Sequence, residues 1–388
     1  MPEGLAVLKW DDELGPVVTS KTPKNLQIGL DPTTSMRVYG ISTLGETEDS
    51  QKPGFTSLAF NDFKLAVYYG GLNMHLQGKP SMVFLVLSLE EDPEVYRDAL
   101  AEIGTQIFLN ADGNKYKKMV PKLYKQIARY TQMTAEQMQA SVLNDPIRRT
   151  IVQTLLKTGT VQSAELEQMI LDEIGKKIEV DLILRPLVKM GVVATGWVEG
   201  LASEVIYLTR ALFLLRKVSH ETIKAVQNSE FPPKVAQQFL EESTNYHREY
   251  ILKFKENLFE TIWAEAENLS QFLMDFDAYD VIHALRTGPL KVKDLESKFE
   301  MDDAKFKKLI KDLKTAKIIT QIKDRSQTYT LLLCNPEIST VYPEWLIQRI
   351  TELYNEEEVN SRQAIHYLEV LKMSHPSQIA LMSEIDEK

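Results

Sequence analysis

Lys157-Thr158-Gly159-Thr160-Val161 and Arg286-Thr287-Gly288-Pro289-Leu290 are two versions of one sequence pattern, and a charged segment follows each of them. These segments are Ala164-Glu165-Leu166-Glu167 and Lys293-Asp294-Leu295-Glu296. Each copy comes after a short amphipathic helix and leads into a second helix, a third helix and residues typical of β-strands. An internal repeat of this kind indicates one structural unit used twice. We therefore predict two copies of one small, helix-rich module.

The boundaries of the predicted elements follow from their capping residues. In the first copy, Asn144-Asp145-Pro146 begins a helix and Gly159 ends it. Helices over 164–174 and 179–190 follow, and then strands over 192–194 and 205–208 with a loop over 197–203 between them. In the second copy the predicted helices are 279–285, 293–299 and 304–316, and the strands 318–322 and 328–333 are joined by a loop over 323–327.

This order of elements is similar to that of the winged-helix transcription regulators. Asp145-Pro146-Ile147-Arg148-Arg149 resembles the start of the first helix in bacterial and archaeal families of that kind. The resemblance implies a module that binds DNA or protein, because tandem winged helices also form protein scaffolds in membrane-sorting complexes of the ESCRT-II type.

The N-terminal region predicts a separate sheet-and-helix domain. A hairpin around Trp10-Asp11-Asp12-Glu13-Leu14-Gly15-Pro16 is followed by a weak helical pattern, three β-rich runs and two helices. This order, ββαβββαα, and the opening hairpin resemble the longin and roadblock domains over residues 3 to 131. The resemblance implies a non-enzymatic platform that dimerises or binds a small GTPase. A generic α+β domain of other ancestry is the alternative.

The predicted fold class is therefore α+β and rich in helix. The chain would contain a longin- or roadblock-like domain, two winged helices, a helical connector, C-terminal helices and a flexible tail. The predicted boundaries, in that order of the chain, are 1–135, 141–216 (first winged helix), 217–276 (connector), 277–335 (second winged helix), 336–376 and 377–388.

Composition places the chain among soluble globular proteins. Of the 388 residues, 44% are hydrophobic and 26% are charged, and the longest uncharged apolar run, 82–89, is too short to span a bilayer. Its N-terminus lacks the pattern of a signal peptide, and a single cysteine, Cys334, excludes an internal disulfide. We predict a cytoplasmic protein.

Positive charge is concentrated in the second copy. The net charge of the chain is −10, yet residues 286–325 carry twelve Lys and Arg against seven Asp and Glu. A basic island in an acidic chain predicts a contact with a polyanion. The candidate DNA-binding residues lie on the third helix and the following loop: Lys305, Lys307, Lys308, Lys311, Lys314, Lys323 and Arg325. The alternative is a solvated lysine face.

The third helix of the first copy differs in character. Its residues Glu179, Asp181, Ile183, Arg185 and Lys189 form a mixed, partly apolar face, which favours a contact with protein. In the second copy, Lys307, Lys311 and Lys314 share a face, and this helix contains no Arg or Asn for bidentate contacts with bases. Any DNA binding there would depend on phosphates and be weakly specific for sequence.

The pattern of aromatic residues in the connector predicts that the chain self-associates. Residues 233–276 contain aromatic side chains at helical spacing and neither Gly nor Pro after Pro233, with Ser243-Thr244-Asn245 as a candidate break. Such a stripe must be buried, either against other helices of the chain or against a second subunit. We predict a homodimer that forms through the aromatic helix or the N-terminal sheet. The candidate dimerisation residues are Phe254, Leu258, Ile262 and Trp263.

The sequence predicts no enzyme, no cofactor and no metal. It lacks the His-Glu-x-x-His spacing of zinc proteases and the Gly-x-Ser-x-Gly turn of hydrolases. The functional prediction is a non-enzymatic transcriptional regulator. Its second winged helix would bind duplex DNA, and its N-terminal domain would receive a signal or a partner. The alternative is a cytosolic scaffold of a small-GTPase or ESCRT-like trafficking system.

Overall fold

The computed structural model shows a chain of two compact units. One comprises Met1–Met133 and Thr160–Tyr207, and the other comprises Thr134–Gly159 and Leu208–Lys388. The structure describes residues 1–27, 31–43, 53–71, 76, 78–111, 114–175, 180–228, 230–299, 301–325 and 327–375. The predicted tail over 377–388 lies outside the described residues, as do Glu179 and Ser326. The chain is mixed α+β and rich in helix, so the predicted fold class is confirmed.

The first unit is built on a five-stranded antiparallel sheet in the order β2-β1-β5-β4-β3. Its strands are β1 (Gly4–Asp11), β2 (Gly15–Thr22), β3 (Gly54–Ala59), β4 (Lys64–Tyr69) and β5 (Ser81–Leu87). The central strand β5 is buried over its whole length. Because successive side chains of a strand point to opposite faces, such a strand needs cover on both sides of the sheet.

Helices supply that cover. They are α1 (Pro32–Thr43), α2 (Arg97–Leu109) and α3 (Lys115–Ala128). Val38 of α1 belongs to a core cluster with Leu8 and Phe84 on one face of the sheet. On the other face, Gly104 of α2 lies so close to the ring of Tyr68 that a Cβ atom at Gly104 would be 2.2 Å from it. The predicted order ββαβββαα is the order of these elements.

The first unit also holds a small three-stranded sheet in the order β6-β8-β7. The elements of this part are β6 (Thr160–Gln162), α6 (Ser163–Ile174), α7 (Val180–Lys189), β7 (Val193–Gly196) and β8 (Val205–Leu208). The inner side of α7 is formed by Ile183, Leu184 and Leu187, all of which are buried.

The second unit contains most of the helices. These are α4 (Ala135–Asn144), α5 (Pro146–Thr158), α8 (His220–Gln227), α9 (Pro233–Glu256), α10 (Leu258–Met274), α11 (Phe276–Arg286), α12 (Val292–Lys298), α13 (Asp303–Thr315), α14 (Trp345–Asn355) and α15 (Ser361–Ser374). Its strands are β9 (Ala211–Lys217), β10 (Leu290–Lys291), β11 (Ile319–Asp324), β12 (Gln327–Leu332) and β13 (Asn335–Val341). Its three-stranded sheet has the order β10-β12-β11.

The two copies of the repeat have the same order of elements. In each, the short strand before the second helix pairs with the last strand, which in turn neighbours the middle strand. Gly159 and Gly288 occupy the turn before that short strand, and both have a positive φ, 75° and 145°. The first copy draws residues from both units, because α5 lies in the second unit and α6 and α7 lie in the first.

A strand pair that the sequence did not predict joins the residues that follow each copy. β9 and β13 form a two-stranded antiparallel ladder from Asn335↔Lys217 to Val341↔Ala211. β13 begins at Asn335, the residue at which the second winged helix was predicted to end. The segments after the two copies are therefore hydrogen-bonded partners within the second unit.

The break in the long connector helix lies at a different residue from the predicted one. Ser243-Thr244-Asn245 is inside α9, where Ser243 is buried, so the prediction of a break there is wrong. The helix ends instead at Asn257, whose φ and ψ are −152° and 79°. Asn257 begins α10, since its carbonyl accepts a hydrogen bond from the amide of Thr261 at 3.1 Å. Asparagine is a favoured residue at this position.

The loop between β11 and β12 is shorter than predicted. A five-residue loop over 323–327 was expected, but the ladder continues to the pair Asp324↔Gln327. Only positions 325 and 326 connect the strands, and Arg325 has a φ of 47°. A positive φ directly after the last ladder residue is typical of tight hairpin turns, which match the twist of the strands that they join.

Arg286, the first residue of the second repeat pattern, ties three elements of the second unit together. Its Nη1 and Nη2 donate to the two carboxylate oxygens of Glu136 on α4, at 2.6 and 2.8 Å. Its Nε donates to Oδ1 of Asn335 at 2.7 Å, and Nη2 also donates to the carbonyl of Pro336 at 2.6 Å. Bidentate pairs of this kind fix geometry as well as adding energy. The guanidinium therefore joins α4, α11 and the start of β13.

We expect Arg286→Met to lower the free energy of unfolding by about 2–4 kcal/mol, because it leaves the Glu136 carboxylate without its cationic partner and with only the hydroxyl of Tyr279 as a donor. Chemical denaturation measures this loss. Arg349→Met is the matched control, since Arg349 pairs with Glu352 on the surface of α14, and it should cost less than about 1 kcal/mol. The double variant Arg286→Met/Glu136→Met should recover part of the loss. An Arg286→Met protein as stable as the control would contradict this role.

Gly159 should not tolerate a side chain. Its φ is 75°, and a Cβ atom would lie 3.1 Å from side-chain atoms of Leu346 and Tyr367. We expect Gly159→Ala to lower the free energy of unfolding by about 1–3 kcal/mol. Gly175→Ala is a matched control, because Gly175 has a φ of 72° and no atom of the described residues lies within 4 Å of its Cβ position. If both variants lost the same free energy of unfolding, measured by thermal or chemical denaturation, the positive φ would explain the whole effect. The contacts with Leu346 and Tyr367 would then contribute nothing.

Candidate functional site

The seven predicted DNA-binding side chains are all exposed. α13 buries Phe306, Ile310 and Leu313 on its inner face, so its lysines point away from the core. The exposed residues are Lys305, Lys307, Lys308, Lys311, Lys314, Lys323 and Arg325. The division of α13 into a buried side and an exposed side follows from the helical period, which places residues three and four positions apart on the same face.

Three of these lysines line one groove of about 470 Å³. Lys307, Lys311 and Lys314 are the basic residues of this feature, which we call the lysine groove. Its other lining residues are Val292, Phe306, Ile310, Thr315 and Gln321. The prediction that these three lysines share a face holds in the structure. The groove combines positive charge with an apolar floor.

The other four basic residues do not line the lysine groove. Lys305 forms an ion pair with Asp277 of α11, with Nζ and Oδ2 2.5 Å apart. Lys308 lies beside the groove on the helix, and Lys323 and Arg325 lie at the end of the β11–β12 hairpin. Lys305 is therefore held by a partner within the second unit, whereas Lys308, Lys323 and Arg325 are exposed outside the groove.

The N-terminus of α13 already carries negative charge. Asp302 caps the helix by accepting from the amide of Lys305 at 2.8 Å, and Asp303 lies in the first turn. The partial positive charge of a helix N-terminus often binds phosphate, but here two carboxylates occupy that position. Nζ of Lys307 lies 3.9 Å from Oδ2 of Asp303, which is a long distance for an ion pair. An anion would therefore approach the middle and C-terminal part of α13.

The corresponding helix of the first copy, α7, uses its basic residues within the first unit. Arg185 and Lys189 both form ion pairs with Asp98 of α2. Nη1 of Arg185 lies 3.7 Å from Oδ1 of Asp98, and Nζ of Lys189 lies 3.1 Å from Oδ2. The hydrogen bond from Lys189 to the Asp98 carboxylate and the negative charge of that carboxylate both raise the pKa of Lys189. Nearby in the chain, Trp197 between β7 and β8 is 68% exposed. This part of the chain therefore presents an aromatic ring, and its basic side chains already have an acidic partner.

The predicted dimerisation residues are divided between the core and the surface. Ile262 is buried, Phe254 and Trp263 are half-buried, and Leu258 is half exposed. Much of the aromatic stripe packs within the second unit, where Tyr250 lies against Phe254 with ring centroids 4.9 Å apart. The apolar side chains that remain exposed flank the break at Asn257, and we call them the helical tip: Ile251, Leu252, Leu258 and Phe259.

Sequence reasoning missed a polar cavity of about 560 Å³ in the second unit. At its centre, Arg216 of β9 donates from Nε to Oε2 of Glu265 on α10 at 2.5 Å. Its Nη1 donates to the carbonyl of Ala316, at the end of α13, at 2.6 Å. Burial raises the pKa of Tyr246 and of Tyr250, which keeps both phenols neutral. We call this feature the Arg216 cavity.

Cys334, the single cysteine, lies behind the Arg216 cavity. It is buried, and its thiol donates to the carbonyl of Lys317 at 3.3 Å. Burial raises the pKa of this thiol, so it is a protonated structural group. No motif signals this cluster, because β9, α9, α10 and the residues after α13 each contribute a side chain or a carbonyl from a distant part of the sequence.

Two further classes of site are absent from the described residues. No cluster of three or more His, Cys, Asp or Glu side chains in that part of the chain is arranged to hold a metal ion. Among the same residues, none of the helices combines the length and the apolar character needed to cross a membrane. Compared with protein-family models and with curated protein sequences, the chain matches none of them.

Proposed function

We propose that this chain is a non-enzymatic regulatory protein that binds duplex DNA through the lysine groove of its second winged helix. The observation that carries the proposal is the set of three exposed lysines, Lys307, Lys311 and Lys314, on one face of α13. Phosphate contacts from lysine supply most of the affinity of non-specific DNA binding. The repeated order of helices and strands around Gly159 and Gly288 supports the winged-helix interpretation of both copies.

The two winged helices have different roles in this proposal. The second offers α13 to DNA, with Lys308, Lys323 and Arg325 as further exposed cations around the groove. The first has its α7 cations engaged by Asp98, which supports a role in contacts with protein. The N-terminal longin- or roadblock-like domain receives a signal or a partner such as a small GTPase.

The DNA proposal is tested by reversing the charge of the lysine groove. Lys307→Glu/Lys311→Glu/Lys314→Glu should abolish binding of a labelled DNA duplex, measured by fluorescence anisotropy at low salt. For the wild-type chain, the log–log dependence of affinity on salt should have a slope of about one unit per phosphate contact. Replacing these lysines one at a time should lower that slope stepwise.

A matched control has the same net charge. Lys117→Glu/Lys118→Glu/Lys122→Glu changes three exposed lysines of α3 in the first unit. This variant should bind DNA nearly as well as the wild type, because only the long-range field of the protein changes. If both triple variants lose binding equally, net charge rather than the groove is responsible, and the proposed site is wrong.

The second candidate function is a protein-binding scaffold of a small-GTPase or ESCRT-like trafficking system. The apolar floor of the lysine groove and the exposed Trp197 favour it, since exposed aromatic and apolar surfaces are typical of protein contacts. Wild-type protein without affinity for duplex DNA, even at about 50 mM salt, would favour this function over the first. Pull-down with purified small GTPases loaded with GTP or GDP then tests the partner.

We also propose that the chain forms a homodimer through the helical tip. Leu258 and Phe259 are about half exposed and adjacent, and desolvating them against a second copy would stabilise a dimer.

Light scattering at micromolar concentration should give about twice the chain mass of 44.4 kDa. Leu258→Asp/Phe259→Asp should give the monomer mass. Leu14→Asp, at the exposed turn of the first hairpin, is the control and should remain dimeric. A monomeric wild type would contradict the proposal.

A further inference from the structure

The Arg216 cavity has the size and lining of a site for a small molecule. Its volume of about 560 Å³ is within the range of about 300–1,000 Å³ that is typical of ligand pockets. The residues around it are Arg216, Tyr246, Glu249, Tyr250, Lys253, Glu265, Asn268, Gln271, Phe272, Asp312, Thr315, Ala316 and Lys317. Aromatic side chains and charges of both signs therefore surround one space, all within the second unit.

The inner wall offers a hydrogen-bond donor that the described residues do not use. The Arg216 side chain is 8% exposed, and its Nε and Nη1 donate to Glu265 and to the carbonyls of Ala316 and Lys317. Among the residues that the structure describes, Nη2 has no hydrogen-bond acceptor. A guanidinium has five N–H donors, so Nη2 remains available to an acceptor that enters the cavity. An anionic oxygen in the cavity would satisfy it.

The rim carries acidic side chains as well as the lysines Lys253 and Lys317. Glu249 of α9 and Asp312 of α13 are exposed carboxylates that line the cavity. Neither has an ion pair in the described part of the chain, so both can accept from a ligand ammonium group. A ligand that carries a carboxylate for Arg216 and an ammonium group for these two acids is a zwitterion.

The remaining walls indicate the side chain of that ligand. Tyr246 and Tyr250 stack with ring centroids 6.2 Å apart, and Phe272 lines the same cavity. Both phenol groups are engaged beside Arg216: Tyr246 contacts Cys334, and Tyr250 accepts from the amide of Arg216 at 3.3 Å. The aromatic rings thus offer their carbon atoms to the cavity. Aromatic rings pack against each other in stacked or edge-to-face arrangements.

We propose that the Arg216 cavity binds an aromatic amino acid, with its carboxylate at Nη2 of Arg216 and its ammonium group between Glu249 and Asp312. The site is distinct from the lysine groove, although Thr315 of α13 lines both features. The proposal does not depend on DNA binding, since the ligand meets residues of α9, α10 and the end of α13.

Isothermal titration calorimetry of the full chain tests the site directly. L-phenylalanine and L-tryptophan are the probes, and we expect saturable binding in the micromolar to millimolar range (Kd of about 10 µM to 1 mM). L-phenylalanine methyl ester lacks the carboxylate and 3-phenylpropionate lacks the ammonium group. Each should bind at least about tenfold more weakly, which is the effect of losing one charged hydrogen bond.

Variants separate the site from a general effect on the protein. Glu249→Gln and Asp312→Asn should each weaken binding of L-phenylalanine by about tenfold, while 3-phenylpropionate should be unaffected by them. Glu256→Gln changes an exposed acid of α9 that does not line the cavity, and should leave binding unchanged. Arg216→Lys should abolish binding in protein that retains the wild-type circular dichroism spectrum.

Three results would overturn the proposal. The first is the absence of heat with either amino acid at about 10 mM, far above the expected Kd. The second is equal affinity for L-phenylalanine and its methyl ester. The third is unchanged affinity in both Glu249→Gln and Asp312→Asn. Because the measurement contains no DNA, each of these outcomes leaves the proposed DNA contact unaffected.

Discussion

The second unit depends on the antiparallel ladder between β9 and β13 and on the two arginines beside it. Arg216 and Pro336 face each other across this ladder, and Arg286 donates to the carbonyl of Pro336. Each arginine is paired with a glutamate on a helix, Arg216 with Glu265 and Arg286 with Glu136. Removing one member of such a pair leaves a partly buried charge without compensation, so the helices and the ladder hold each other in place.

The same arrangement fixes the position of α13. Arg216 donates to the carbonyl of Ala316, the residue that ends α13, and to that of Lys317 directly after it. The last carbonyl groups of a helix have no partner within the helix, so this contact satisfies one of them. Phe306, Ile310 and Leu313 fix the rotation of the helix by burying its inner face. Held at its end and along its inner face, α13 must present its remaining residues outward. The lysine groove is therefore a consequence of how the helix is anchored.

The aromatic stripe of the connector can be buried in two ways, against other helices of the same chain or against a second subunit. The spacing from Phe239 to Phe272 requires an apolar environment but does not say which chain provides it. In the structure, Phe239 packs with Ile322 and Tyr329 of the β11–β12 sheet, and Leu269 is fully buried. The most exposed apolar side chains of α9 and α10, Ile251, Leu252, Leu258 and Phe259, lie on either side of Asn257, where α9 ends and α10 begins.

The sequence by itself determined the elements whose signals are local. Asp145-Pro146 caps α5 as predicted, and Asp302 caps α13 in the same way, since in both a side-chain oxygen accepts from an amide three residues ahead. The glycines of the repeat mark turns with positive φ, which other residues adopt at a cost. The helical period placed Lys307, Lys311 and Lys314 on one face, and the structure keeps them together.

Tertiary structure decided everything that depends on partners distant in the sequence. The β9–β13 ladder joins residues more than a hundred positions apart, and neither strand has a local signal that names the other. Lys305 lies on a different side of α13 from the three groove lysines, and only the packing of α11 makes Asp277 its partner. The Arg216 cavity combines groups from four separate segments. Capping and periodicity act over a few residues, whereas ion pairs, ladders and cavities form only when packing brings distant residues together.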